Sequence, residues 1–244
     1  MKRTLIAMTA ALVSAFSAQA APAIEETQSM HSYILLDRTG SMSNIWSEAL
    51  SSVNSYAETV ATVREGEDAD TLTTEITLSV FDAQDGLQFD TLRRNATPES
   101  WSAVTNDEAS PRGMTPLFDA IGRMVAMAEA DNPERAVIVI MTDGHENASR
   151  EMTMDGARAA LDRARERGWE VIFLGAQFGQ FNDAESVGMA QSKTMGMSSG
   201  TMVESMNRLA TKARDYGIDD AAAIEFDEED RAIAREEDVK QGNR

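Results

Sequence analysis

An α/β fold built on a mostly parallel sheet is predicted by three features of the 244-residue chain. Tyr33-Ile34-Leu35-Leu36, Ala136 to Met141 and Val171-Ile172-Phe173-Leu174 are short, continuous apolar runs bounded by polar residues or glycine, the pattern of strands buried on both faces. The segments between them carry apolar residues at helical spacing, and strands alternating with amphipathic helices define the class. Thr74 to Phe81 and Leu87 to Leu92 are rich in β-forming residues and meet around Asp85-Gly86, a hairpin signal, so one antiparallel edge strand is expected.

In chain order, Lys2 and Arg3 precede an apolar run from Leu5 to Phe16 and the triplet Ala18-Gln19-Ala20, the layout of a secretory signal peptide. Residues 1–20 are therefore expected to be cleaved, and the run is too short to span a bilayer comfortably. The mature chain is expected in the periplasm or outside the cell, without membrane insertion. After the first strand, Ile45, Ala49, Val53, Tyr56, Val60 and Val63 share one helical face, as do Leu117, Ile121, Met124, Val125 and Ala128 further on. Asp155 to Arg167 reads as an exposed crossover helix ended by Gly168, and a last helix is expected over Thr201 to Tyr216. Glu225 to Asp238 is mostly acidic and reads as a solvated terminal helix or tail. The expected layout is a signal peptide at 1–20, one domain at 30–217 and an acidic extension at 218–244.

Composition narrows the chemistry. With 22 Lys+Arg against 41 Asp+Glu the formal charge is −19, and no basic cluster offsets it, so a nucleic-acid partner is not expected. Hydrophobic residues at 42% are enough for a full core. The absence of cysteine excludes disulfides, thiolate metal sites and Cys nucleophiles, and two histidines cannot build a multi-histidine zinc centre.

Oxygen donors remain. The first buried strand runs into Asp37-Arg38-Thr39-Gly40-Ser41-Met42-Ser43, at the carboxyl end of a strand, where ligands bind in open α/β sheets. Asp37, Thr39 and Ser41 place one carboxylate and two hydroxyls at alternate positions, and Gly40 lets the backbone curl so that all three face one point. Taken alone, these residues read equally well as helix caps. Two further donors sit at other expected strand-end loops: Thr115 in Gly113-Met114-Thr115-Pro116 and Asp143 in Thr142-Asp143-Gly144. Five oxygens with no nitrogen or sulfur specify a hard cation, Mg²⁺ first, with Mn²⁺ or Ca²⁺ as alternatives. With two carboxylates at most, a bound dication keeps Lewis acidity and an open position that an incoming Asp or Glu carboxylate from another protein could complete.

These pieces resemble the von Willebrand factor type A domain family, in its bacterial secreted form: Asp37 to Met42 its Asp-x-Ser-x-Ser motif, Gly113 to Ile121 its threonine loop and Thr142-Asp143-Gly144 its distal aspartate. The resemblance covers Met30 to Gly217 and implies a Rossmann-like fold, with helices on both sheet faces. It also implies that Asp37, Thr39, Ser41, Thr115 and Asp143 form a metal-ion-dependent adhesion site. In that site Ser41 and Thr39 ligate directly, while Asp143 and Asp37 often act through water. Thr39 replaces the usual Ser, keeping the hydroxyl but adding a methyl that stiffens the rotamer. Met114 stands where a second Gly is common, which bears on the mobility of the Thr115 loop. Asp119 reads as a first-turn helix acid that could also buttress that loop.

Other signals weigh less. His145-Glu146-Asn147-Ala148-Ser149 lacks the second histidine of a zincin helix, and His145 reads as an exposed loop residue at the rim. No Gly-Lys-Ser/Thr phosphate loop occurs. Met189, Met195, Met197, Met202 and Met206 offer thioethers that suit Cu(I), but the stretch reads better as core or as a contact that can repack. The expected function is metal-dependent capture of a partner's acidic residue without catalysis. Two alternatives are a metal-assisted phosphate or acyl-ester hydrolase with Asp143 or Glu146 as base, and a scaffold whose metal only stabilises the fold.

Overall fold

A computed structural model describes residues 27–63, 71–175, 184–219 and 222–241, and the expected signal peptide at 1–20 lies outside the described residues. Strand β1 (Gln28–Asp37) holds the centre of the sheet, pairing in parallel with β2 (Leu72–Ala83) on one side and β4 (Arg135–Thr142) on the other. Strand β3 (Leu87–Ala96) turns back antiparallel on β2 at Asp85-Gly86, as predicted. Beyond β4 lie β5 (Glu170–Gly175) and β6 (Thr194–Gly196), both parallel, giving the order β3-β2-β1-β4-β5-β6.

The continuous apolar runs are explained by two cores, one on each side of the sheet. Ile34, Leu36, Val137, Val139 and Met141 point to one core, and Tyr33, Leu35, Ala136, Ile138 and Ile140 to the other, so neither β4 nor β1 from Met30 onward has a position left for solvent. The first core is closed by helices α1 (Trp46–Val60) and α4 (Met202–Ile218), the second by α2 (Leu117–Asp131) and α3 (Met154–Glu166). Helix α1 buries Trp46, Ala49, Leu50, Val53, Tyr56, Ala57 and Val60 on one stripe. It stops at Val60, one turn short of the expected Val63, which lies beyond the helix and is exposed. Helix α3 buries only Ala157, Ala160, Leu161 and Ala164, a narrow stripe that leaves its charged faces in water.

Strand β6 has no counterpart in the sequence pattern, because three residues are too few to show a period. Its Met195, together with Met197, Met202 and Met206, is fully buried in the first core, so that part of the methionine-rich stretch is packing.

The acidic C-terminal segment, expected as a solvated helix or tail, is helical but not solvated throughout. Its helices α5 (Glu228–Ile233) and α6 (Glu236–Lys240) flank the β6 edge, with Ile224, Phe226 and Ala234 in the first core. Two of its acids are buried and paired: Asp230 with Arg208 (2.9 Å) and Lys212 (3.0 Å) of α4, and Glu236 with Arg231 (2.7 Å) and the Gly196 N–H (3.0 Å). The acid run is solvated on one side only, because cations of α4 and the polar edge of β6 meet the other.

Candidate metal centre

Chain direction decides where polar residues can gather. From β1 the chain passes through α1 to β2 on one side, whereas β4 lies on the other side of β1. The carboxyl ends of β1 and β4 thus flank the switch point of the sheet, where the crossover loops diverge and leave a crevice. Register puts Leu36 beside Met141, so Asp37 and Thr142 end their strands side by side.

All five predicted oxygens meet in this crevice. Asp37 is fully buried; its Oδ1 accepts the Thr39 N–H at 2.7 Å and its Oδ2 accepts the Thr142 hydroxyl at 2.5 Å. The Thr39 and Ser41 hydroxyls are 3.0 Å apart, the Thr115 hydroxyl donates to Thr39 Oγ1 at 3.3 Å, and the Ser41 hydroxyl donates to Asp143 Oδ1 at 2.5 Å. Thr39, Thr115 and Asp143 are buried, while Ser41 is exposed at the mouth.

Gly144 opens the centre of the cluster. A Cβ on this residue would lie 2.6 Å from Thr115 Oγ1 and 3.4 Å from both Asp37 Oδ2 and Ser41 Oγ, so the missing side chain leaves a cradle lined by oxygens from three segments. Burial drives the Asp37 carboxyl up to about 7, and the neighbouring Asp143 adds to the rise; hydrogen bonds from Thr142 and Thr39 oppose it. Among the described residues, the hydrogen-bond donors to Asp37 are threonine hydroxyls and a backbone amide, all neutral. Two carboxylates and three hydroxyls around an open point fit a hard divalent cation. Among the described residues no group of three or more His, Cys, Asp or Glu is placed to hold a metal.

Several supporting residues carry no clear signal in the sequence. Thr142 fixes Asp37 and also accepts the Gly144 N–H at 3.1 Å; its only mark is a hydroxyl beside Asp143. Asn147 clasps Thr115 through its side-chain oxygen (2.9 Å) and its backbone N–H (3.0 Å), a role that Asn147-Ala148-Ser149 does not announce. Glu146 is held by the N–H groups of Phe118, Ala148 and Ser149 and by the Ser149 hydroxyl, which makes it a loop organiser. Asp119 accepts the N–H groups of Arg150, Glu151 and Met152, so it braces the loop after β4 rather than the Thr115 loop directly. His145 is exposed. Met114 is 53% exposed at the rim, and its backbone is tied to Ala83 by hydrogen bonds of 2.9 and 3.1 Å.

The fold and the cluster define a Rossmann-like α/β domain with an oxygen-donor crevice at its switch point. The chain belongs to the von Willebrand factor type A domain family, whose profile matches residues 33–219. Solved structures with the same fold include the type V pilus tip protein Mfa5 of Porphyromonas gingivalis, its von Willebrand factor domain 11% identical with TM-score 0.57, covering 80% of this chain and 97% of that one. Manganese-loaded TRAP of Plasmodium vivax is 15% identical (TM-score 0.51; 72% and 71% covered). Proximal thread matrix protein 1 of the mussel byssus, with a zinc-occupied MIDAS motif, is 14% identical (TM-score 0.53), and this chain spans 48% of its length against 78% of its own. No curated protein matches the chain significantly in sequence.

Proposed function

We propose that this chain is a protein-binding module in which Asp37, Thr39, Ser41, Thr115 and Asp143 hold a divalent cation, Mg²⁺ by preference, and a partner protein's Asp or Glu completes the coordination. The observation that carries this reading is the cradle at Gly144, an open point ringed by Thr115, Asp37 and Ser41 oxygens beside a buried carboxylate met by neutral donors. A bound dication supplies the positive charge this carboxylate lacks and retains a position for an external anion. Ser41 at the mouth presents the accessible side of the cluster, and Thr142 and Asn147 hold the inner residues still. Catalysis is not part of the proposal: Glu146 is committed to the N–H groups of Phe118, Ala148 and Ser149, and the Ser41 hydroxyl and the Asp143 carboxylate are assigned to the cation. Manganese and zinc in two structural neighbours, and a pilus tip role in a third, support a metal-dependent adhesive role. No described helix is long and apolar enough to cross a membrane. With the signal-like residues 1–20, the place of action is proposed to be the periplasm or the cell exterior.

The test is calorimetric titration of Mg²⁺, Mn²⁺ and Ca²⁺ into the metal-free protein, wild type beside Asp37→Ala and Thr115→Ala, followed by metal-dependent capture of acidic peptides. Saturable binding that Asp37→Ala abolishes is the expected result. An empty site at millimolar Mg²⁺, or partner capture that survives Asp37→Ala, would overturn the proposal.

A further inference from the structure

A second buried carboxylate stands beside the crevice and touches none of the five candidate ligands. Asp82, on β2 one residue past the Asp37 to Phe81 pairing, has a fully buried side chain. Its Oδ1 accepts Arg38 Nε–H at 2.7 Å and its Oδ2 accepts Arg112 Nε–H at 3.1 Å. Arg38 lies between Asp37 and Thr39, and its guanidinium turns away from the oxygens to reach Asp82 and, at 2.5 Å, Asp90 of β3. Arg112 lies three residues before Thr115. One carboxylate therefore grips both loops that carry the predicted hydroxyl ligands.

The backbone follows the same grip. The Arg112 N–H donates to the Arg38 carbonyl at 2.8 Å, and the Gly40 N–H to the Gly113 carbonyl at 3.3 Å. Gly113, at φ +71°, sits so close to β2 that a Cβ would lie 2.4 Å from the Ala83 carbonyl oxygen and 3.0 Å from Asp82 Oδ2. The loop bearing Thr115 is seated on Asp82 directly.

We propose that Asp82 is the positioning residue of the metal centre: through Arg38 and Arg112 it sets the separation between Thr115 on one loop and Thr39 and Ser41 on the other. It has this role only if the five oxygens hold a metal, as proposed above. Two arginines beside a cation site oppose cation binding by charge alone, so their presence needs a geometric reason. Asp82 and Asp90 neutralise them, and the fork of each guanidinium fixes a direction that a single point charge would not.

Charge and positioning predict opposite signs for one substitution. Arg112→Met removes a positive charge near the site, which by Coulomb attraction alone tightens cation binding; loss of the grip loosens it. The experiment titrates Mn²⁺ into metal-free wild type, Asp82→Asn, Arg112→Met and Asp131→Asn, reading free Mn²⁺ by electron paramagnetic resonance. Hydrogen exchange of each metal-free protein is followed in parallel. Asp82→Asn is expected to weaken binding about tenfold or more, and Arg112→Met to weaken it by a smaller factor. Both should speed exchange over residues 38–43 and 112–116. Asp131→Asn, which breaks an ion pair with Arg94 elsewhere, should leave the affinity unchanged. Because the Arg112 side chain is partly exposed, its variant carries the test if Asp82→Asn does not fold. Wild-type binding with affinity unchanged in both variants, or tightened in Arg112→Met, overturns the inference while leaving the metal centre intact. Failure of the wild type to bind overturns both.

Discussion

Asp37 and Asp82 stand at the ends of neighbouring strands, and both are fully buried. Their surroundings are opposite. Asp82 is met by two guanidinium groups, while Asp37 is met by a threonine hydroxyl and a backbone amide. Desolvating a carboxylate costs several kcal/mol, roughly alike at both positions, and only a positive charge offsets it well. At Asp82 that charge is built into the chain. At Asp37 the chain supplies hydroxyls and an open cradle instead, the arrangement that the proposed cation site requires and an internal ion pair does not.

The comparison breaks first on stability. Asp82→Ala leaves the buried Arg38 with only the half-exposed Asp90 as a partner, so denaturant unfolding of the metal-free protein should show a loss of about 3 kcal/mol. Asp37→Asn removes an uncompensated charge and should cost about 1 kcal/mol or less under the same conditions. Equal losses would mean that Asp37 has a compensating partner after all.

At the other end of β1, His31 supplies a pH reference away from the proposed metal centre. Burial lowers it to about 4, with Arg94 adding and Asp131 opposing. Its folded value lies below its unfolded one, so the neutral form is favoured on folding. This contribution is complete above pH 6.5 and is lost as pH falls toward 4. The stability difference between wild type and His31→Gln should therefore shrink over that window by on the order of 3 kcal/mol. A flat difference would show that the ring is solvated.

Metal should act on Asp37 and not on Asp82. Mg²⁺ at a hundred times its Kd should stabilise the wild type by about 2.7 kcal/mol, read as a rise in Tm of roughly 5–10 °C. Gly144→Ala fills the cradle without changing any charge and should abolish that rise, because the added methyl group meets Thr115 Oγ1. A rise that persists in Gly144→Ala would place the ion elsewhere. The smallest effect is expected for Thr39→Ser, which keeps the hydroxyl: Mn²⁺ affinity should stay within about threefold, with about 1 kcal/mol lost for the buried methyl.

Much of the fold is legible in the amino-acid pattern. The three apolar runs, the helical stripes and the Asp85-Gly86 turn each report a local period, and local periods survive in sequence because each strand or helix must present its own face to a core. The five oxygens are legible for a related reason: strand ends and loop starts are local features, and an open α/β sheet brings the carboxyl ends of its central strands to one crevice. Asp82 is not legible. In Phe81-Asp82-Ala83 it reads as an acid near a turn, and only strand register together with the return of the 112–115 loop brings Arg38 and Arg112 to it. Thr142 is hidden in the same way, since its partner is 105 residues earlier.

The acidic C-terminal segment shows the limit most clearly. Its composition describes a charged run, but charge counts do not say which carboxylate turns inward, and Asp230 and Glu236 do so because Arg208, Lys212 and Arg231 are held where they can meet them. The sequence by itself determined the α/β class, the strand and helix faces and the five side-chain oxygens that gather in the crevice, all properties of short segments. The tertiary structure decided which buried charges are compensated and which side chains hold the loops, because those depend on pairings between residues distant in the chain.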